Sequence, residues 1–356
     1  MSKVLVVTSS LGGGGAERVA VDVSNGFFDC GDFVSLYALK DTGAYKTELN
    51  RHIKVLTGTS DRASANLLEL IKVIRKTQPE IVFCSQNYLC FIVFIAVKLS
   101  FKTRVQVVVR EGSTPSKNIP RNLKGLLLKY ATKIAYSYSN LTVATCEYVK
   151  KDMEEYLKID SKKISVINNP IDINEITLRS KESVDNILFS NDYPIVSAVG
   201  RLHKVKDFGF LIKMINFLKS QNKFINLLII GEGEERGALE ALINEYKLEE
   251  LVKLMGFVSN PFPYIKNSNL LVLSSHFEGY PNVVNQALAL NTSVVAIDVP
   301  GAIKEMLPSK CIAKNREIKE FSSLVLKNLN AKPEVNQLTF LSSKEFAMEV
   351  KRKLNH

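Results

Sequence analysis

Residues 278–288 read EGYPNVVNQAL. An acid, a glycine, an aromatic residue and a proline in succession mark a loop turning into a helix, because Pro281 suits the first helical turn. The residues that follow, NVVNQALAL, are apolar at helical spacing. Just upstream, NLLVLSS (269–275) is a short apolar run of strand type. Glu278 therefore stands where a strand ends and a helix begins, the usual ligand crevice of a parallel α/β sheet.

The same alternation runs through the rest of the chain. In the first half, KVLVVTSS, FVSLYAL, PEIVFCS, RVQVVVR and NLTVAT read as strands. Helical segments stand between them, from about Ala16 to Phe27 and over ANLLELIKVIRKTQ. In the second half, PIVSAVG, NLLIIGEG, VKLMGF and SVVAIDV are strands, with helices at DFGFLIKMINFLKSQ and ERGALEALINEYKL. Such βαβ alternation implies parallel sheets with right-handed crossovers. The expected fold is α/β, with two Rossmann-like domains facing a central cleft. The expected boundaries are 1–175 for the first domain, a hinge at 176–190, and 191–335 for the second. Residues 336–356 hold an amphipathic helix that packs back on the first domain.

Bulk properties narrow the class. The 356 residues suffice for two cores, and 46% hydrophobic with 23% charged residues is ordinary for a globular protein. The N-terminus enters a short strand directly, too short for a signal-peptide core, which predicts a cytoplasmic protein. Leu89–Val97, the longest apolar run, suits a buried helix and not a membrane span. Five scattered cysteines without a CxxC pair read as free thiols in a reducing compartment.

The net charge of +11 is concentrated. Residues 98–133 carry nine Lys/Arg against a single acid, Glu111. Ile119, Leu123, Leu126, Leu127, Tyr130 and Ile134 keep helical spacing there, with Arg121, Lys124, Lys129 and Lys133 outside that stripe. A basic amphipathic helix suits an anionic membrane surface or a phosphate-bearing substrate, and a core helix with a solvated charged face gives the same pattern. No aromatic-basic interleaving points to nucleic acid.

Three further stretches carry chemistry. VGRLHKVKD (199–207) follows a strand and leads into a helix, so Arg201 and Lys206 can turn towards a ligand at the sheet edge. Arg offers bidentate phosphate contact and Lys a point charge. SSLGGGGAERV (9–19) places Gly14 and Gly15 at a helix start, where backbone and dipole favour anions. The dinucleotide fingerprint does not fit it, because counted from Gly12 the third glycine falls on Glu17. VVVREGSTPSK (107–117) ends a strand in a polar loop bearing Arg110, Glu111 and Ser113. No Asp-x-Asp and no His/Cys/Asp cluster has metal-ligand spacing, so neither a metal nor another cofactor is expected.

Taken together, these motifs resemble glycosyltransferase family 4, retaining enzymes of the GT-B fold. The 278–288 run resembles the family's E-x7-E signature, with one departure: its second Glu falls on Gln286. Gly200, Arg201, Leu202 and Lys206 match the G-R-L-x-x-x-K element, and 14–18 match G-G-A-E-R. LLIIGEGEERGALEAL and MGFVSN resemble the family's nucleotide-flanking segments, with Gly231, Gly256 and Phe257 in place. DVPGAIKEML (298–307) resembles the Gly-rich loop that follows the signature, and TVATCEYVKKDM puts Cys146 at the usual Ser position.

The resemblance implies that Arg201 and Lys206 hold the donor diphosphate, and that Glu278 approaches the donor sugar or nucleotide. It implies that the backbone of Gly279, Tyr280, Pro281, Asn282 and Val283 caps the phosphate or sugar, with Gln286 at the ribose. Gly14 and Gly15 would face the donor phosphates. Arg110, Glu111 and Ser113 would lie towards the acceptor, with Glu111 counted among the catalytic residues; a structural Arg110–Glu111 ion pair is the alternative.

The implied reaction is metal-independent transfer of a sugar, with retention, from a nucleotide diphosphate donor, a UDP-sugar by expectation, to an acceptor hydroxyl. The basic region suggests a lipid-linked saccharide acceptor at the inner membrane face, in surface polysaccharide assembly. A non-catalytic GT-B subunit and a GT-B nucleotide-sugar epimerase are the alternatives.

Overall fold

A computed structural model describes every residue except 13, 41, 42, 61, 101–103, 184–190, 334–339 and 356. Its strands form two sheets in which all ladders are parallel. The first holds β1 (Lys3–Thr8), β2 (Phe33–Ala38), β3 (Lys54–Thr57), β4 (Ile81–Cys84), β5 (Gln106–Glu111), β6 (Leu141–Ala144) and β7 (Ile164–Val166). The second holds β8 (Ile195–Val199), β9 (Asn226–Ile230), β10 (Val252–Leu254), β11 (Leu270–Leu273), β12 (Val294–Ile297) and β13 (Ile312–Ala313). Helices cover both faces, so strands such as β4, β9, β11 and β12 are buried along their length and read as unbroken apolar runs.

Strand order is β3-β2-β1-β4-β5-β6-β7 in one sheet and β10-β9-β8-β11-β12-β13 in the other. Both are doubly wound. The order reverses between β1 and β4 and between β8 and β11, which are the crevices where α/β sheets bind ligands.

The chain divides into two compact units, residues 1–172 with 339–356, and residues 173–338. The boundary falls earlier than the expected 175/176. Ile173–Arg179 is a helix whose Ile176 is buried, and Arg179 hydrogen-bonds Ser259 and Asn260 of the second unit. The rest of the expected hinge, 184–190, lies outside the described residues. The C-terminal helix, Ser343–Leu354, belongs to the first unit. A capping box of Ser342 and Glu345 starts it, Phe346 meets Phe83 edge-on, and Lys351 pairs with the buried Asp32 at 2.9 Å.

The basic segment departs from a core-helix reading. Leu123–Ser137 is helical, with Asn122 as its N-cap. Its buried face consists of Gly125, Thr132, Ala135 and Tyr136, small residues apart from the tyrosine. The apolar stripe points outward: Leu123 is 74% exposed, Leu127 64% and Tyr130 58%, with Leu126 and Ile134 exposed beside them. Only Ile119, ahead of the helix, is buried. Lys102 lies outside the described residues. Among the described residues no helix is long and apolar enough to cross a membrane.

Candidate active site

In the second unit the motif residues converge on the crevice between β8 and β11. Arg201 and Lys206 occupy the loop after β8, and Glu278 the loop after β11, its neighbour in the sheet. Lys206 Nζ donates to Glu278 Oε1 at 2.7 Å, and Ser275 Oγ donates to the same oxygen at 2.5 Å. Glu278 is only 8% exposed, so its charge is held by partners and not by bulk water. Arg201 is exposed and meets Glu234 Oε2 at 3.3 Å; His203 Nε2 lies 3.4 Å from the other oxygen. A hydrogen bond from its own backbone amide, with Arg201 and His203 close by, holds the Glu234 carboxyl below the usual range.

Pro281 is the N-cap of the Asn282–Ala289 helix, one position ahead of the expected first turn. Val284, Asn285, Ala287 and Leu288 face the interior. Asn282, Val283 and Gln286 are half-exposed and share the opposite face, as i, i+3 and i+4 neighbours must. Gly279 and Tyr280 are buried, and the Tyr280 hydroxyl meets Asn285 Oδ1 at 3.4 Å, so this ring packs into the unit and does not face solvent.

Backbone close approach explains two glycines. Gly301 has φ +127°, and a Cβ there would meet the Glu278 carbonyl oxygen at 2.0 Å. The loop is tied by Glu278 N–H to Pro300 O and Ala302 N–H to Gly279 O, both at 2.9 Å. At Gly231 (φ +147°) a Cβ would meet Gly200 O at 1.9 Å, so the ends of β8 and β9 touch. Gly231 also bonds Gly256 O at 2.8 Å, while the Phe257 ring that follows is exposed.

In the first unit, Gly14 is the N-cap of the Gly15–Asp29 helix, and Gly15 borders open space. Gly13 lies outside the described residues. Glu17 folds back beneath the loop, accepting from Ser9 Oγ at 3.0 Å and from Gln86 Nε2 at 3.2 Å. Gln86 follows β4 and also accepts from Ser9 N–H at 2.9 Å, bridging the strand-order reversal of this sheet.

Arg110 and Glu111 are both buried and do not pair directly, because adjacent strand residues point to opposite faces. Arg110 donates to Asn169 Oδ1; burial draws its pKa down to about 10. Glu111 Oε1 accepts from Ser113 N–H and Oγ at 2.9 and 2.8 Å, and Oε2 accepts from the Tyr136 hydroxyl at 2.9 Å. Burial raises the Glu111 carboxyl, and those bonds oppose the rise. Both oxygens are thus engaged, and Glu111 anchors the turn at Ser113 that follows β5.

Several residues of the β8/β11 crevice carry no local sequence signal of their placement there. Ser275 sits just ahead of the signature, Asp207 caps the Phe208–Ser220 helix from a left-handed backbone, and Arg316 comes from the loop after β13. Cys146 does fill the Ser position in a cap: its Sγ accepts from Val149 N–H at 3.4 Å.

Two doubly wound parallel sheets, with cations and a buried acid at the β8/β11 crevice, define a GT-B protein of the glycosyltransferase class. The family model described as Glycosyltransferase Family 4 matches residues 13–175, and that of Glycosyl transferases group 1 matches 193–330. The chain belongs to glycosyltransferase family 4.

Among similar proteins is the Campylobacter jejuni N-acetylgalactosamine-N,N'-diacetylbacillosaminyl-diphospho-undecaprenol 4-alpha-N-acetylgalactosaminyltransferase. It is 29% identical over 315 residues, which is 86% of this chain and 83% of that protein. The amylovoran biosynthesis glycosyltransferase AmsD of Erwinia amylovora is 23% identical over 300 residues, 84% of this chain and 81% of that one. Anabaena HepE, solved with UDP and glucose, superposes with a TM-score of 0.80 at 18% identity, covering 100% of both chains.

Proposed function

We propose that this glycosyltransferase is retaining and metal-independent, and that it moves a sugar from a UDP-sugar to a hydroxyl of a lipid-linked saccharide in surface polysaccharide assembly. The observation that carries the reading is the placement of Arg201 and Lys206 after β8 with Glu278 after the neighbouring β11. Departure of a nucleoside diphosphate concentrates negative charge on the leaving phosphate. A guanidinium and an ammonium at a strand-order reversal supply the fixed positive partners that this step requires. Glu278, bonded to Lys206 and Ser275, is engaged as a binding group and not poised as a nucleophile. That supports front-face attack, with the leaving phosphate taking the acceptor proton and the anomeric configuration kept.

The choice of UDP is supported by the UDP in the HepE complex, and the acceptor class by the diphospho-undecaprenol named for the Campylobacter relative. The outward Leu123, Leu127 and Tyr130, beside Lys124 and Lys133, give the first unit a surface suited to an anionic lipid face on the cytoplasmic side.

Calorimetric titration with UDP and GDP, in EDTA, tests the donor site. UDP binding in the micromolar range that vanishes in Arg201→Ala/Lys206→Ala is the expected result. Equal binding by that double variant, or no UDP binding by the unaltered chain, would overturn the reading.

A further inference from the structure

A single side chain outside the recognised motifs ties together the two loops that carry Lys206 and Glu278. Arg316 Nη1 donates to Asp207 Oδ2 and to the Ser274 carbonyl, both at 2.7 Å, and its Nη2 donates to the Ser275 carbonyl at 2.5 Å. The guanidinium lies over the Phe210 ring, 5.6 Å from its centroid. Ser274 and Ser275 directly follow β11, where carbonyls leave the sheet and need new donors. The planar fork of an arginine serves two adjacent carbonyls and a carboxylate from two separate, fixed nitrogens, whereas the three donors of an ammonium all radiate from one.

Asp207 shows why the tie matters. Its backbone is left-handed (φ +48°, ψ +51°), a conformation that disfavours a residue with a side chain. The carboxylate compensates by capping Phe210 N–H at 3.3 Å and pairing with Arg316; His276 Nε2 lies 3.5 Å from it. Lys206 is the residue immediately before this turn, and its carbonyl accepts from Ser274 Oγ at 2.8 Å. On the other side, Ser275 passes the constraint to Glu278 through its hydroxyl. Each loop thus reaches the Lys206–Glu278 pair through a residue that Arg316 holds.

We propose that Arg316 is a positioning residue: it sets the register between the loops after β8 and β11, so that Lys206 and Glu278 present one preformed site to the donor. In its functional half this rests on the donor-site reading above.

The test uses Arg316→Ala and Arg316→Lys in the full chain, with two readouts besides melting temperature. One is UDP affinity by calorimetry. The other, which needs no nucleotide, is the rate of acetylation of the Lys206 amine by a water-soluble reagent, followed by mass spectrometry against the exposed Lys213. In the unaltered protein Lys206, held by Glu278, should label more slowly than Lys213.

In Arg316→Ala, Lys206 labelling should rise several-fold and UDP binding should weaken by about tenfold. Arg316→Lys, which keeps the charge but loses the fork, should fall between. A lower melting temperature with both readouts unchanged would reduce Arg316 to a fold stabiliser and overturn the proposal. Faster labelling with unchanged UDP affinity would overturn its functional half. If the unaltered chain binds no UDP, the donor-site reading falls and labelling alone decides the positioning role. Should Arg316→Ala fail to fold, Arg316→Lys carries both measurements.

Discussion

Lys206 and Glu278 form a 2.7 Å ion pair between the loops that follow adjacent strands, and the pair is partly shielded: 26% of the Lys206 side chain is exposed and 10% of that of Glu278. A pair of this kind does two things. It prevents a buried carboxylate from standing alone, and it aims an ammonium that would otherwise sweep through many rotamers.

Removing the lysine should therefore hurt twice. Lys206→Ala leaves Glu278 with Ser275 as its nearest donor, and the expected loss of stability is about 1–3 kcal/mol. UDP affinity should fall at least about tenfold. Glu278→Gln keeps an acceptor for both donors and should cost less on either measure. Urea denaturation and calorimetry on the two variants check the order; a Lys206→Ala protein as stable as Glu278→Gln would contradict it.

The architecture was legible in the sequence because parallel strands buried on both faces leave continuous apolar runs, as in IVFC of β4 and LLVL of β11. The crevice position of Glu278 and of the cations of 199–207 was legible because all of them directly follow strands, and the crevice of a parallel α/β sheet lies outside its strand ends. What stayed hidden was of another kind. β3 is a partly exposed edge strand and β13 has two residues, too little for a periodic signal. Arg316 reaches the site by tertiary folding alone. The stripe on Leu123–Ser137 was read correctly as a period, but its direction is set by which face can approach the unit, and the buried face is mostly small residues.

Gln286 lies on the half-exposed face of the signature helix with Asn282 and Val283, so a carboxylate of the same length can be placed there without repacking the core. A Gln carbonyl accepts from a hydroxyl without charge assistance, a difference on the order of 1 kcal/mol. Gln286→Glu is expected to tighten UDP binding by no more than about tenfold. A gain of several orders of magnitude in binding or turnover would mean that the natural residue disables the site.

Glu111 predicts a pH dependence of opposite sign to that of most carboxylates. Burial raises its folded pKa, so between the unfolded value, about 4.3, and that raised value the folded state binds more protons than the unfolded state. Stability contributed by this group is therefore present at lower pH and is lost as pH rises through that window. Glu111→Gln should flatten the corresponding slope in denaturation midpoints followed upward in pH from the unfolded carboxyl value of about 4.3. If the slope persists in the variant, another group sets it.

The helix Leu123–Ser137 gives the most direct test of membrane contact, because Leu123 and Leu127 are mostly exposed and have little packing to lose. Transfer of apolar side chain into the interfacial region contributes about 0.8 kcal/mol per buried CH₂, and each nearby lysine about 1 kcal/mol on an anionic surface. Leu123→Ser/Leu127→Ser should leave the melting temperature and UDP affinity unchanged while reducing co-sedimentation with vesicles of anionic phospholipid by at least about tenfold. Lys124→Gln/Lys133→Gln should reduce it less in low salt and make the remainder less sensitive to salt, since part of the screened component has been removed. Vesicle binding that survives both pairs of substitutions would place the contact elsewhere on the chain.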